Sequence, residues 1–364
     1  MDKSQFNVVL LPGDGIGPDV VNAAVKVMDA AAADQGITLN YQTFDAGAAY
    51  YQRTGKSIDD AGVEAVGESD AVLLGAMGLP SVRKADGTEI APQIDLREHY
   101  DLYASLRPCL LLPGVKTRLD VKHINMLVIR ELTEGLFAGR HDPIPESDES
   151  CSDRLTITRA GAERLCVIAF EQARLRKAKQ GTPGHVTLLD KANVLRSNAF
   201  LRKLFDEVAA RYPDIGSDRQ YIDAGSMMFI TDPERYDVVV TENVFGDITS
   251  EIAAGVVGGL GVAPSGDVND KLGIFQPSHG SAPDIAGKGL ANPVATILSG
   301  AMLLDWIAEK QNAPAAAKAA AAIRAATGKV LASGPKTRDI GGTASTDEVT
   351  DAIVSALNNA TVTA

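Results

Sequence analysis

Apolar and polar positions along the chain alternate in a way that predicts strands and helices from the start. Residues 6–11 are an apolar run stopped by Pro12, Gly13, Asp14 and Gly15, the pattern of a buried strand ending in a turn. Gly17, Pro18 and Asp19 predict a helix start with proline in its first turn, and apolar residues recur at helical spacing through Met28. Residues 38–44 and 71–75 read as two more strands, so the first third has the strand–helix alternation of an α/β layer structure. A helix is predicted at 93–106 and a strand at 124–130, ending on Arg130. Residues 138–154 are polar, acidic and proline-bearing, and read as a loop or arm. Thr158 is placed to cap a long helix reaching about residue 177. Strands are predicted at 185–189, 220–222 and 237–241. A glycine-rich, helix-poor stretch covers 255–289, followed by helices at 292–310, 314–331 and 346–358. The second of these is alanine-rich, a strong helix former suited to close packing.

A length of 364 residues suits two cores better than one. The net charge of −12 repels nucleic acid and anionic membranes, so neither is an expected partner. It also repels an anionic substrate, so a pocket for an acid must gather its own cations. Cys109, Cys151 and Cys166 are too few and scattered for a disulfide framework or a zinc site, and reduced thiols are expected. Residues 1–7 are polar and lead into the first strand without the apolar run of a signal peptide, and no apolar stretch has the length of a membrane helix. A cytoplasmic location is the expectation.

Several groups of residues can carry chemistry, each with a plainer alternative. GDGIGP at 13–18 has the wrong spacing for a dinucleotide fingerprint, because the third glycine falls on Pro18, and it reads as a strand-to-helix turn. Arg97, Arg107 and Arg130 could each grip a carboxylate bidentately, or lie on solvated faces. Asp247 and Glu251, four apart, share a helix face and would attract Mg2+ or Mn2+ if Asp223 joined them; otherwise they form a solvated acidic face. Lys191 follows a buried-type strand and could accept a proton if low dielectric disfavours its ammonium, or it could simply reach for solvent. The loop His279, Gly280, Ser281, Ala282, Pro283 and Asp284 is built of small residues that let a ligand approach the backbone, or is a surface turn.

In order along the chain, LLPGDGIGPDV, LREHYDLYASLRP, VIRELTEG, DKANVLR, YIDA, FGDITSE and HGSAPDIAGKGLANP resemble the β-decarboxylating dehydrogenases, a family of 3-isopropylmalate, isocitrate, homoisocitrate and tartrate/D-malate enzymes. The overall likeness is greatest to 3-isopropylmalate and tartrate dehydrogenases. The resemblance implies an α/β two-domain fold that is not a Rossmann fold. A large cofactor-binding domain would come from 1–102 and 255–364. A smaller substrate and dimerisation domain would come from 103–254, with an arm near 138–154. It implies a homodimer or larger assembly, NAD, Mg2+ or Mn2+, and a dicarboxylic hydroxy acid as substrate. Arg97, Arg107 and Arg130 would bind carboxylates, and Asp223, Asp247 and Glu251 would hold the metal. Lys191 and Asp223 would act in catalysis from across the dimer interface. The 279–292 loop would bind the cofactor, with Asp284 on the ribose, Ile285 beside it and Asn292 near the adenine. NADP-using relatives carry lysine and tyrosine at 284 and 285, so Asp284 and Ile285 favour NAD.

Three positions depart from the family pattern. Phe137 replaces a tyrosine taken as the proton donor. Glu251 replaces an aspartate, which moves the carboxylate by roughly one bond length. Ile90, Gln93 and Ile94 match neither the isopropylmalate nor the isocitrate specificity pattern, so a malate with an unusual or small 3-substituent is expected. The expected reaction is oxidative decarboxylation of an isopropylmalate-like malate. The alternatives are a tartrate/D-malate dehydrogenase of relaxed specificity and a non-catalytic ligand-sensing subunit.

Overall fold

A computed structural model describes residues 3–140 and 149–361. In chain order the elements begin with β1 (Gln5–Gly13), α1 (Gly17–Asp34), β2 (Thr38–Thr43), α2 (Ala48–Thr54), α3 (Asp60–Glu68), β3 (Ala71–Ala76) and α4 (Pro92–His99). Then come β4 (Ala104–Leu110), β5 (Asn125–Glu131), α5 (Arg159–Gln180), β6 (His185–Asp190), α6 (Arg196–Ala209), β7 (Gly216–Tyr221), α7 (Ile222–Thr231), β8 (Val238–Thr241) and α8 (Asn243–Val256). The chain closes with β9 (Pro264–Val268), β10 (Gly273–Pro277), α9 (Val294–Lys310), α10 (Pro314–Ser333) and α11 (Thr346–Thr361).

Two compact units divide the chain. The first takes Met1–Tyr100, Leu111–Lys116 and Val257–Ala364; the second takes Asp101–Leu110 and Thr117–Val256. The expected borders lay after 102 and after 254. The structure also returns 111–116 to the first unit, where Gly114, at φ +72°, lies so close to the Leu331 carbonyl that a Cβ would meet it at 2.1 Å.

In the first unit the strands run β2-β1-β3-β10-β9, parallel except for the last pair. Every residue of β3 is buried, as a parallel strand covered on both faces requires. Helices α1, α9, α10 and α11 pack together, and Gly300 of α9 lets the Met28 side chain approach where a Cβ would stand 2.6 Å from Sδ. In the second unit the order is β4-β5-β8-β6-β7, with β4 antiparallel to β5 and the rest parallel. Thr158 caps α5, its hydroxyl accepting from the Gly161 N–H at 3.0 Å.

Two expectations need correction, at 93–106 and at Asp223, and the helix-poor stretch gains detail. The helix expected at 93–106 ends at His99; residues 104–106 already belong to β4, where Ala104 pairs with Glu131 of β5. Tertiary strand pairing there overrides the local pattern. The helix-poor stretch contains the β9–β10 hairpin. Its turn is built by Asn269, whose side-chain oxygen accepts from the Lys271 and Leu272 N–H groups, both at 2.7 Å. Asp223 does not end a strand: β7 stops at Tyr221, and Asp223 lies in the first turn of α7, where the helix dipole favours an acid. Of the arm expected at 138–154, residues 141–148 lie outside the described residues. Among the described residues no helix is long and apolar enough to cross a membrane.

Candidate functional site

The second unit gathers two charged clusters. Ser105 on β4 is the cross-strand partner of Arg130 on β5, and Arg107 lies two residues further on, so strand alternation puts all three on one face. α8 packs beside β5. Gly246 of that helix rests against the Arg130 side chain, where a Cβ would meet it at 2.6 Å. Arg130 donates through Nε and Nη2 to Asn243 Oδ1, at 3.1 and 2.9 Å, and through Nη1 to Asp247 Oδ1. Arg107 donates to Ser250 Oγ at 2.8 Å and to Ser105 Oγ at 3.3 Å, and its Nη2 lies 3.8 Å from the same Asp247 oxygen. Both arginines are buried, while the Asp247 side chain is 45% exposed. Two guanidiniums therefore converge on one carboxylate that still faces outward. Glu251 stands one turn along α8. Burial pushes its carboxyl above the usual range and the Asp247 charge adds to this, while Arg107 and Arg130 oppose it. The Phe137 ring lies under Arg130, 5.3 Å from ring centre to guanidinium carbon.

Lys191 and Asp223 form the second cluster, an ion pair of 2.7 Å. Asp223 is exposed, and the Lys191 hydrogen bond holds its carboxyl below the usual range. The low-dielectric setting expected of Lys191 is not formed within the chain: its side chain is 27% exposed and faces a carboxylate. Among the described residues no three His, Cys, Asp or Glu side chains come together to hold a metal ion within one chain.

The first unit holds the remaining candidates. Arg97 of α4 is buried and already has an internal anion. Its Nε donates to Asp267 Oδ2 at 2.8 Å, and the Gln276 amide donates to that oxygen at 2.8 Å. Gln93 carries a buried Oε1 with no hydrogen-bond partner. Ile94 is partly exposed, but Ile90 is 1% exposed and belongs to the core, so it offers no free surface to a substrate.

GDGIGP forms a turn, with Gly13 at φ +77° and Gly15 at φ +57°. Gly15 packs under the 279–292 loop: a Cβ there would lie 1.9 Å from the Ser281 carbonyl oxygen, and the Ile16 N–H donates to that same oxygen at 2.8 Å. The buried Asp14 carboxylate ties the turn down, accepting from the N–H groups of Ala48, Ala49 and Gly78 at 2.7–2.9 Å. Along the loop, Gly280 has open space where a side chain would stand, Ala282 takes a left-handed φ of +36°, and Pro283 and Asp284 are exposed. Ile285 packs with Ala282 beside Ile16 and Val20. The Lys288 ammonium donates to the Asp284 backbone carbonyl at 2.7 Å. His279 Nδ1 lies 2.9 Å from the Gly280 carbonyl, which assigns it the proton and leaves Nε2 an acceptor; Nε2 is buried without a partner. Burial holds the imidazole below its ordinary pKa. The Asn292 side chain is largely committed: its amide donates to Asp339 at 2.9 Å and its oxygen accepts from the Val294 N–H at 3.0 Å, at the start of α9.

The chain belongs to the isocitrate/isopropylmalate dehydrogenase family, whose description matches residues 7–353. It is therefore an oxidoreductase of the decarboxylating type. It is 41% identical over 348 residues to the 3-isopropylmalate/3-methylmalate dehydrogenase of Methanocaldococcus jannaschii, covering 95% of this chain and 97% of that one. Among solved structures it is similar to isocitrate dehydrogenase from Methylococcus capsulatus, at TM-score 0.84 and 35% identity over 97% of this chain and 99% of that one. It is also similar to a beta-decarboxylating dehydrogenase from Thermococcus kodakarensis, at TM-score 0.79 and 34% identity over 97% and 96% of the two chains.

Asn243 and Ser250, which hold the two arginines, went unread in the sequence. Their signal was present, since they lie four before and three after Asp247 and so share its helix face.

Proposed function

We propose that this chain catalyses the NAD- and divalent-metal-dependent oxidative decarboxylation of an isopropylmalate-like, 3-substituted malate, and does so as a homodimer. The observation that carries this reading is the convergence of buried Arg107 and Arg130 on the outward-facing Asp247. Buried guanidiniums need anions, and the two can grip the carboxylates of a dicarboxylic acid in a chain whose net charge otherwise repels one.

Asp247 and Glu251 supply hard oxygen donors suited to Mg2+ or Mn2+. Because the described residues assemble no three-ligand group in one chain, Asp223 of a second copy is the fitting third donor. Exposed Val194, Met227, Ile230 and Ile248 in the second unit favour such pairing. The orphaned His279 Nε2 and the open backbone at Gly280 fit a docked dinucleotide, and the Asp284 carboxylate repels a 2′-phosphate. When bound, the metal supplies Lewis-acid polarisation of the substrate oxygens and NAD supplies the hydride acceptor. Arg107 and Arg130 orient the substrate carboxylates, and the Lys191 amine of a second copy, once it has left its ion pair with Asp223 and lost a proton, accepts the hydroxyl proton. Phe137 has no proton to return to carbon, so that proton must come from water or another side chain.

A tartrate/D-malate enzyme of relaxed specificity is the second reading. The unpartnered Gln93 Oε1 favours it, since a substrate hydroxyl could donate there. Purified protein with Mn2+ and NAD, assayed on 3-isopropylmalate, 3-methylmalate, D-malate, tartrate and isocitrate, decides between them. Reduced cofactor and carbon dioxide together on a 3-alkylmalate are expected. The strongest signals on tartrate or D-malate would move the assignment to the second reading, and silence across the panel would remove both.

A further inference from the structure

Lys191 and Asp223 sit on neighbouring strand exits, and something must hold those exits in register. In the β6–β7 ladder Asp190 is the partner of Tyr221, so the residue before Lys191 lies beside the residue two before Asp223. One side chain spans both. Arg202 of α6 grips fully buried Asp190 as a fork, with Nε to Oδ2 and Nη2 to Oδ1, both at 2.7 Å. Its guanidinium carbon also lies 5.0 Å from the centre of the Tyr221 ring. The held carboxylate reaches back to the loop, as Asp190 Oδ1 accepts from the Ala192 N–H at 2.9 Å. Asn198, one helical turn before Arg202 on the same face of α6, is fully buried and accepts from the Lys191 N–H at 2.9 Å. The Lys191 amide is thus held directly by α6 and the Ala192 amide by the carboxylate that α6 grips, while the Lys191 ammonium pairs with Asp223.

We propose that Arg202 is a positioning residue for the reaction: by clamping Asp190 and Tyr221 together, it sets where the Lys191 ammonium and the Asp223 carboxylate stand. It touches no reacting atom and acts through the two loops. The inference rests on the proposed roles of Lys191 and Asp223. It deepens that reading by naming what fixes their geometry.

Three variants test it with the best substrate of the panel, NAD and Mn2+. Arg202→Met leaves a buried carboxylate unpaired and can fail to fold, so the Asp190→Asn/Arg202→Met pair is made as well; it removes the buried charge and keeps an oxygen for the Ala192 N–H. Arg202→Lys keeps the charge and loses the fork and the ring stack. For the folded double variant, turnover is expected to fall roughly 10²-fold, with KM for substrate and for NAD each within about twofold of the parent. Arg202→Lys is expected to recover part of the loss. A folded double variant with the parent's kcat overturns the proposal, as does a loss shared between kcat and KM that merely follows the melting temperature. Lys191→Met, measured alongside, separates the two levels. If it retains turnover, the role of Lys191 fails and the clamp with it. If it is inactive while the Arg202 variants keep their kcat, the clamp alone fails.

Discussion

The Phe137 ring faces the Arg130 guanidinium and has no proton to give. An enol left after carbon dioxide departs must be protonated on carbon, and a missing general acid slows such a step by about 10²–10⁴-fold. Phe137→Tyr keeps the ring over the cation and adds an O–H. It is expected to raise turnover about tenfold or more on the true substrate, read by steady-state kcat together with the rate of carbon–deuterium incorporation in heavy water. An unchanged rate in a variant limited by that protonation would show that another group already supplies the proton. Asp284 invites a second substitution. Its carboxylate sits exposed on the loop, with the Lys288 ammonium tied to its own backbone carbonyl. If the cofactor ribose docks at Asp284 as proposed, Asp284→Lys replaces repulsion of a 2′-phosphate with attraction, beside a second lysine. The ratio of kcat/KM for NADP to that for NAD is expected to rise by roughly tenfold or more. A ratio that does not move would detach Asp284 from cofactor choice.

At the level of elements, α8 explains why part of the site could be read from sequence and part could not. The four-residue spacing of Asp247 and Glu251 has one helical meaning, and the helix is there. The same rule reaches Asn243 and Ser250, which a search for acids alone passes over. Asp223 was harder. No glycine or proline separates β7 from α7, and β-branched Ile222 suits either state, so local pattern cannot place the switch. The clustering of Arg107 and Arg130 depends on the register of β4 against β5, which the sequence around Arg107 does not signal. α8 also carries an unread cap. Glu242 accepts from the N–H groups of Val244 at 3.2 Å and Phe245 at 2.9 Å, just ahead of Asp247 and Glu251. It is 2% exposed, and burial raises its pKa above the ordinary 4.5 despite these bonds. A carboxyl raised in the fold binds more protons there than in the unfolded chain. Its contribution to stability is therefore complete below about 4.5 and is lost as pH climbs through the raised value. Urea unfolding followed upward from about pH 4.5 should show the parent losing stability more steeply than Glu242→Gln. Parallel profiles would mean that Glu242 titrates normally.

At the scale of the whole molecule, the two clusters of the second unit pose a question of stoichiometry. Arg107, Arg130 and Asp247 form one set and Lys191 with Asp223 another, and the described residues of a single chain do not merge the acids into a three-ligand group. If each active site takes the first set from one copy and the second from its partner, as a two-fold dimer would arrange them, complementation follows by arithmetic. Asp247→Asn homodimers lack the first set in both sites, and Lys191→Met homodimers lack the second in both, so each alone is inactive. A mixed dimer brings together one intact first set and one intact second set at one of its two sites, and both damaged sets at the other. Random reassortment of equal amounts makes half the dimers mixed, so activity should return to about a quarter of the parent's, per chain. Sites contained within single chains would give no recovery at all, because every site would still carry one damaged set. The measurement needs only the two inactive proteins, unfolded and refolded together or exchanged at low concentration, with each refolded alone as its control.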